Sequence, residues 1–251
     1  MKVVILNLHK IRSGIKAVKV IAFMLVFLLL GGLFVNTYLN SEKYVSAMSK
    51  ENEKNIVIID AGHGGEDPGA VGSDNIYEKD LNLSVSKELG SALTEKGFTV
   101  IYTRTDDKLL YKEEENIKGI RKISDLKNRC KIAAEYPNAI FVSIHMNSYG
   151  DPKYSGTQVY YSTRNEYGRM LASAIQESVK DSLQPNNNRV IKSGEGIFLL
   201  ENTENVSVLV ECGFITNSEE CKKLSEKEYQ KELSLAIVCG IIKYVEKVSS
   251  H

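Results

Sequence analysis

The chain has 251 residues, enough for one sizeable domain and an appendage. Hydrophobic residues make up 43% and charged residues 25%, the balance of a globular protein and not of a disordered one. The formal net charge of zero hides an asymmetry: residues 1–40 carry five Lys/Arg and no Asp/Glu, leaving 27 basic and 32 acidic residues in 41–251, which excludes the basic footprint of a nucleic-acid binder.

Residues 1–19 form a basic flank containing Lys2, Lys10, Arg12, Lys16 and Lys19. The uncharged run VIAFMLVFLLLGGLFV comes next at 20–35, and residues 36–40 are uncharged too. Residues 20–40 read as a transmembrane anchor with Tyr38 at the interface, and the basic flank keeps the N-terminus in the cytoplasm and sends the rest outside. A cleaved signal peptide is the competing reading, with Val45, Ser46 and Ala47 resembling a cleavage site. That site lies well past a run already long for a signal, so the uncleaved anchor is preferred; both readings export the remainder of the chain. Residues 41–54, SEKYVSAMSKENEK, are a polar linker, and residues 55–248 form one domain.

Within the domain, apolar runs of strand length alternate with amphipathic segments. The run IVIID (56–60) predicts a strand. Leu81, Val85, Leu89 and Leu93, spaced by four, predict a helix over 78–96 that Gly97 stops. FTVIYT (98–103) is a strand. Residues 106–123 are highly charged and read as a mobile loop or a short surface helix. The next helix covers 124–136, with Ser124 as N-cap and Pro137 beyond its end. AIFVSI (139–144) and GTQVYYS (156–162) are strands, 166–183 a helix, GIFLL (196–200) and VSVLVE (206–211) strands, and 228–248 a closing helix. Alternating strands and helices imply an α/β domain with a mostly parallel sheet covered on both faces, and ligand sites at the carboxyl ends of its strands.

Polar residues fall at those ends. His9 lies in the basic flank and His251 ends the chain, so His63 and His145 are the only histidines of the domain, and each directly follows an apolar strand. Two independent histidines are the alternative to a shared site. Catalytic zinc usually takes three protein ligands, two His and one Glu among the known sets. Glu78, at the start of the first helix after the glycine-rich loop, is the candidate third ligand, although a first-turn glutamate also suits a helix start without any ligand. Glu211 ends the buried run VSVLVE, where a carboxylate is costly unless paired. Strand alternation aims Glu211 and Cys212 to opposite faces, so Glu211 is the one to face the site. Asp60 is either support for a ligating imidazole or a strand-end turn residue. Asn147 could hold substrate or backbone, and Arg104 and Arg129 either meet acidic groups of a substrate or are surface charges. Cys130, Cys212, Cys221 and Cys239 match no zinc-knuckle or CxxC spacing; they read as free thiols, though export would permit disulfides.

The motifs IDAGHGGEDPGA, EKDLNL, TRTDD, FVSIHMNS and VLVECGFITN, in that order across roughly residues 55–247, resemble the zinc-dependent N-acetylmuramoyl-L-alanine amidases of the type 3 catalytic family. The resemblance implies hydrolysis of the amide between the lactyl group of muramic acid and L-alanine in peptidoglycan. It implies one zinc ion per chain on His63, Glu78 and His145, Glu211 as the catalytic glutamate, and a mixed sheet of about six strands flanked by helices. NVSVLVE stands where many members have a proline before the final strand, and no inserted blocking helix is evident. A short anchored chain without wall-binding repeats resembles the germination-specific, spore-cortex branch, acting outside the cytoplasm and open to an activating protein partner. The rival readings are a zinc peptidase cutting within the stem peptide and a catalytically silent peptidoglycan-binding module.

Overall fold

A computed structural model of the chain describes residues 55–250 apart from Lys118, and Met24, Gly31 and Gly32 before them. The expected span at 20–40 and the linker at 41–54 otherwise lie outside the described residues. Among the described residues, no helix is long and apolar enough to cross a membrane. The chain divides into residues 1–51 and 52–251 by its internal contacts, and every strand among the described residues lies in the second unit.

Six strands form one sheet: β1 (Ile56–Ala61), β2 (Thr99–Tyr102), β3 (Ile140–Asn147), β4 (Gln158–Tyr161), β5 (Lys192–Ser193) and β6 (Val206–Phe214). Their order is β2-β1-β3-β6-β4-β5. All neighbours run parallel except β4, which is antiparallel to β6. The helices described in the second unit are α1 (Glu78–Glu95), α2 (Arg121–Glu135), α3 (Gly168–Ser182), α4 (Phe198–Asn202), α5 (Ser218–Ser225) and α6 (Lys227–Ser249). The expected mixed α/β sheet of about six strands is present.

Helix α1 ends as its sequence dictates. Gly97 takes φ +85°, its N–H bonds to Thr94 O, and Phe98 N–H reaches back to Leu93 O, so the last carbonyls are satisfied in a left-handed cap. Two expectations fail. Residues 196–200 are not a strand: Phe198–Asn202 is the helix α4, because a five-residue apolar run carries no periodicity that separates strand from helix. Helix α2 starts at Arg121, so Ser124 lies inside it, its hydroxyl bonded to Glu115. Helix α5 has no counterpart among the expected elements, although Asn217 caps it by accepting from Glu220 N–H. The charged stretch before α2 contains one 3-10 turn, Glu113–Glu115.

The two faces of the sheet differ. On one, Val57, Ile59, Val142, Ile144, Val208, Val210 and Cys212 join α1, α3 and α6 in the larger core. On the other, Ile58 and Phe141 meet Ala133 of α2 and Leu199 of α4 in a smaller one. Strand alternation places Asp60, Ser143, His145 and Glu211 on this second face. Towards the carboxyl ends, that face goes from apolar (Ile58, Phe141) through buried polar (Asp60, Ser143, both 0% exposed) to the rim. The polar residues that looked like strand-end punctuation are therefore one continuous column.

Candidate metal centre

His63 leaves β1 through a loop that turns sharply. Its own φ is +60°, the left-handed region uncommon for a residue with a side chain. Such a backbone costs on the order of 1–3 kcal/mol and needs the surroundings to hold it. Here Gly64 and Asp67 exchange two backbone hydrogen bonds of 3.1 and 3.0 Å, and Arg129 Nη2 donates to His63 O at 2.8 Å. The same loop brings Ala70 back to the start of α1, where its N–H donates to Glu78 Oε2 at 2.8 Å. Glu78 is thus fixed at one oxygen and offers the other.

That other oxygen, Oε1, lies 3.2 Å from His63 Nε2 and 2.9 Å from His145 Nδ1. It also accepts from Met146 N–H at 3.1 Å and Asn82 Nδ2 at 3.3 Å. The two imidazole rings stand edge to face, 5.0 Å apart. One ligand atom from each of His63, Glu78 and His145 falls within 4.8 Å of the others, so the three could hold a metal ion. Asp67 Oδ2, 2.9 Å from His63 Nδ1, fixes which ring nitrogen faces Glu78.

Electrostatics follow the geometry. Burial alone would lower the His63 pKa, but the Asp67 and Glu78 carboxylates outweigh it and raise it to about 9. Burial opposes ionisation of Glu78, yet the two imidazoles hold its pKa well below the carboxylate range. Asp67 is held low first by its hydrogen bond with His63. Glu211 is different. Burial pushes its pKa up to about 7; the His145 ring pulls it down, Glu78 adds to the rise, and His63 opposes it. Glu211 is the neighbour of His145 in register across β3 and β6, and residues paired on parallel strands project to the same face. Its Oε2 is buried and has no hydrogen-bond partner.

The residues present fit a cation. Two imidazole nitrogens and a carboxylate oxygen are a known donor set for a catalytic ion with an open position. A Cβ built on Gly69, whose φ is +66°, would stand 2.6 Å from Glu78 Oε2 and 2.8 Å from His63 Cδ2, so the cradle is closed to any other side chain. An orphaned buried carboxylate oxygen beside the cluster is a costly feature that positive charge would relieve.

The remaining candidates sort by contact. Asp60 is inside β1, not at a turn, and its hydrogen bonds go to neither imidazole. It accepts from Thr103 Oγ1, Arg129 Nη1 and Ser143 Oγ at 2.6–2.7 Å. Arg104 and Arg129 are 2% and 1% exposed, which rules out the surface-charge reading for both. Arg129 donates to Ala61 O and His63 O, and Arg104 to Ala61 O and Gly62 O. Three successive carbonyls leading to His63 are therefore clamped by two guanidinium groups. Asn147 ends β3 half-buried, its carbonyl accepting from Ile215 N–H. Sequence reading misses Asp67; the signal is a carboxylate four residues after a loop histidine. The four cysteines are free thiols, two of them buried.

Residues 57–243 match the model of the N-acetylmuramoyl-L-alanine amidase family. The chain belongs to that family. A germination-specific N-acetylmuramoyl-L-alanine amidase of Bacillus subtilis is 33% identical over 229 residues, 91% of this chain and 95% of that protein. Among solved structures, the CwlD amidase from Clostridioides difficile, in complex with the GerS lipoprotein, is 40% identical with a TM-score of 0.74, covering 77% of this chain and 99% of that one. AmiC2 of Nostoc punctiforme, another N-acetylmuramoyl-L-alanine amidase, is 31% identical with a TM-score of 0.64, covering 77% and 98%. The resemblance carried by the motifs holds, its germination-specific branch included, and so does the expected enzyme class.

Proposed function

We propose that the chain is a zinc hydrolase that cleaves the amide between the lactyl group of muramic acid and L-alanine in spore-cortex peptidoglycan. The observation that carries this is the sharing of Glu78 Oε1 by His63 Nε2 and His145 Nδ1, with the unpartnered Glu211 Oε2 on the same rim. Zinc on His63, Glu78 and His145 would polarise the scissile carbonyl and acidify a water. Glu211 would take the proton of the attacking water at its carboxylate and deliver it to the departing alanine nitrogen, which leaves poorly as an anion. Asp67 would hold the His63 ring, and Arg104 and Arg129 the backbone behind it.

In this reading the domain acts outside the cytoplasm, held at the membrane by residues 20–40 after the basic flank at 1–19. The C. difficile relative in complex with a lipoprotein supports extending the expectation of a protein partner to this chain. The test is mass spectrometry of digested cortex-type peptidoglycan. An amidase releases stem peptides with a free N-terminal alanine, whereas a peptidase cutting inside the stem leaves that alanine on the sugar, and a silent module releases neither.

Two further results are expected. His145→Ala should lose most of its zinc while keeping the fold, as metal analysis beside a circular dichroism spectrum would reveal. Gly69→Ala should weaken zinc binding by about 10–100-fold, the range for disturbed ligand support, because its methyl group collides with two ligands at once. A chelator competition giving wild-type affinity for Gly69→Ala would contradict the assigned ligand set.

A further inference from the structure

The rim beside Glu211 continues into a second structure. In the segment between β3 and β4, Tyr149 and Tyr154 meet edge to face, ring centres 4.9 Å apart. The Tyr154 ring lies 6.2 Å from that of Phe214, three residues past Glu211. The Arg189 guanidinium covers the Phe214 ring at 4.3 Å. Arg189 also donates to Gln158 Oε1 at 2.9 Å, and Gln158 is the neighbour of Glu211 in register across β4 and β6. The buried Glu220 carboxylate ties the two walls by accepting from Gly156 N–H and Phe214 N–H. This assembly opens on a cleft of about 630 Å³, within the size range of small-ligand sites, whose lining includes Tyr154, Gln184, Asn186, Asn188 and Arg189. Tyr149 is 58% exposed and Tyr154 38%, so both rings are open to a ligand.

The cleft's lining also includes Lys153, Glu219 and Lys223, and the opposite flank of the centre is built from ion pairs. There Lys79 pairs with Asp107, Arg121 with Glu66 and Lys122 with Asp67. The substrate of the proposed reaction has two unlike arms at its scissile amide. One is a neutral N-acetylated sugar chain, with apolar ring faces and amide and hydroxyl edges. The other is a peptide bearing carboxylates. We propose that the cleft lined by Tyr154, Arg189 and the asparagines at 186 and 188, with Tyr149 against Tyr154 beside it, is the subsite for the glycan arm, sugar rings stacking on the two tyrosines and the side-chain amides meeting the N-acetyl groups. This rests on the amidase reading and adds the direction in which the substrate lies: glycan over the β4–β5 side, peptide over the β1–β2 side.

The test uses a peptide-free tetrasaccharide of alternating N-acetylglucosamine and N-acetylmuramic acid, which the proposed reaction cannot consume. Calorimetric titration of the zinc-loaded wild type should detect binding, and Tyr149→Ala/Tyr154→Ala should weaken it about tenfold, the worth of one to two aromatic contacts. Tyr154→Phe, which keeps the ring, should retain wild-type affinity and controls for a folding defect. With a tetrasaccharide that carries stem peptides, the double variant should raise KM by a similar factor and leave kcat unchanged. No binding of the peptide-free tetrasaccharide by the wild type, equal affinity in wild type and double variant, or a kcat loss without a KM change would overturn the subsite. A wild type that binds the tetrasaccharide through these tyrosines but releases no N-terminal alanine would sink the amidase reading and leave the subsite standing.

Discussion

Glu211→Gln is expected to keep a full complement of zinc and to lower the rate of amide hydrolysis by about 10²–10⁴-fold, the usual worth of a positioned proton carrier. The substitution preserves the size of the side chain and removes only its charge and its ability to take a proton. None of the three ligand atoms belongs to Glu211, so metal content should not move. A drop in zinc equal to the drop in rate would show that Glu211 holds the ion and would cancel its role as proton carrier. Stability gives an independent readout. Burial raises the Glu211 pKa to about 7 from an ordinary 4.5, so between these values the folded, metal-free protein binds a proton that the unfolded chain has released. Its stability therefore falls as pH rises from 4.5 through 7, by on the order of 1–3 kcal/mol. Metal-free Glu211→Gln lacks that penalty and should melt higher than the metal-free wild type at about pH 8, with the gap closing towards pH 4.5. Identical melting curves at both pH values would mean that the carboxylate is not strained by its burial.

Much of this centre is legible because its chemistry sits at boundaries. His63, His145 and Glu211 each stand where an apolar run stops, and parallel strands bring such stops to one rim. Glu78 is legible for a related reason: a helix start directly after a tight loop returns to the strand ends. The surroundings of these residues are not. Asp67 touches His63 only because the loop adopts two backbone hydrogen bonds that no spacing reveals. Arg104 and Arg129 read as surface charges because the partners that bury them, the carbonyls of residues 61–63 and the Asp60 carboxylate, are 42–69 positions away. Tyr149 and Tyr154 carry no periodic signal, and only the folded path of the segment between β3 and β4 sets them beside Phe214. Helix α4 shows the limit at short range. Leu199 and Leu200 are buried as a strand reading requires, yet the backbone coils, and sequence reports burial more readily than conformation.

Arg129→Ala should cause the largest loss of stability, about 3–5 kcal/mol, the cost of leaving a buried charge without its partner. Asp60 and Asp125 both bond to this guanidinium, at 2.6 and 2.8 Å, and Asp60 is fully buried. Burial by itself would raise the Asp60 pKa, but the Arg129 charge and the hydroxyls of Ser143 and Thr103 outweigh it and hold it below 3.8. The stabilisation from that lowered value is fully present above the unfolded pKa and disappears as pH falls through the folded one. Without the Arg129 charge only the Ser143 and Thr103 hydroxyls still oppose the effect of burial, so Asp60 should take up a proton at a higher pH. Urea unfolding should then place the variant far below wild type at about pH 7 and closer to it at about pH 4.5, where protonating Asp60 relieves the unpaired charge. Arg129→Lys should fall between them, because an ammonium keeps the charge but cannot reach Asp60, Asp125 and the carbonyls of residues 61 and 63 together, as the planar fork does. The same loss should reach the metal, since the His63 carbonyl is released while its backbone remains in the left-handed region. Zinc affinity falling in step with unfolding free energy across Arg129→Lys and Arg129→Ala would tie the ion to the column of buried polar groups beneath it. A stable Arg129→Ala with wild-type zinc affinity would break that link.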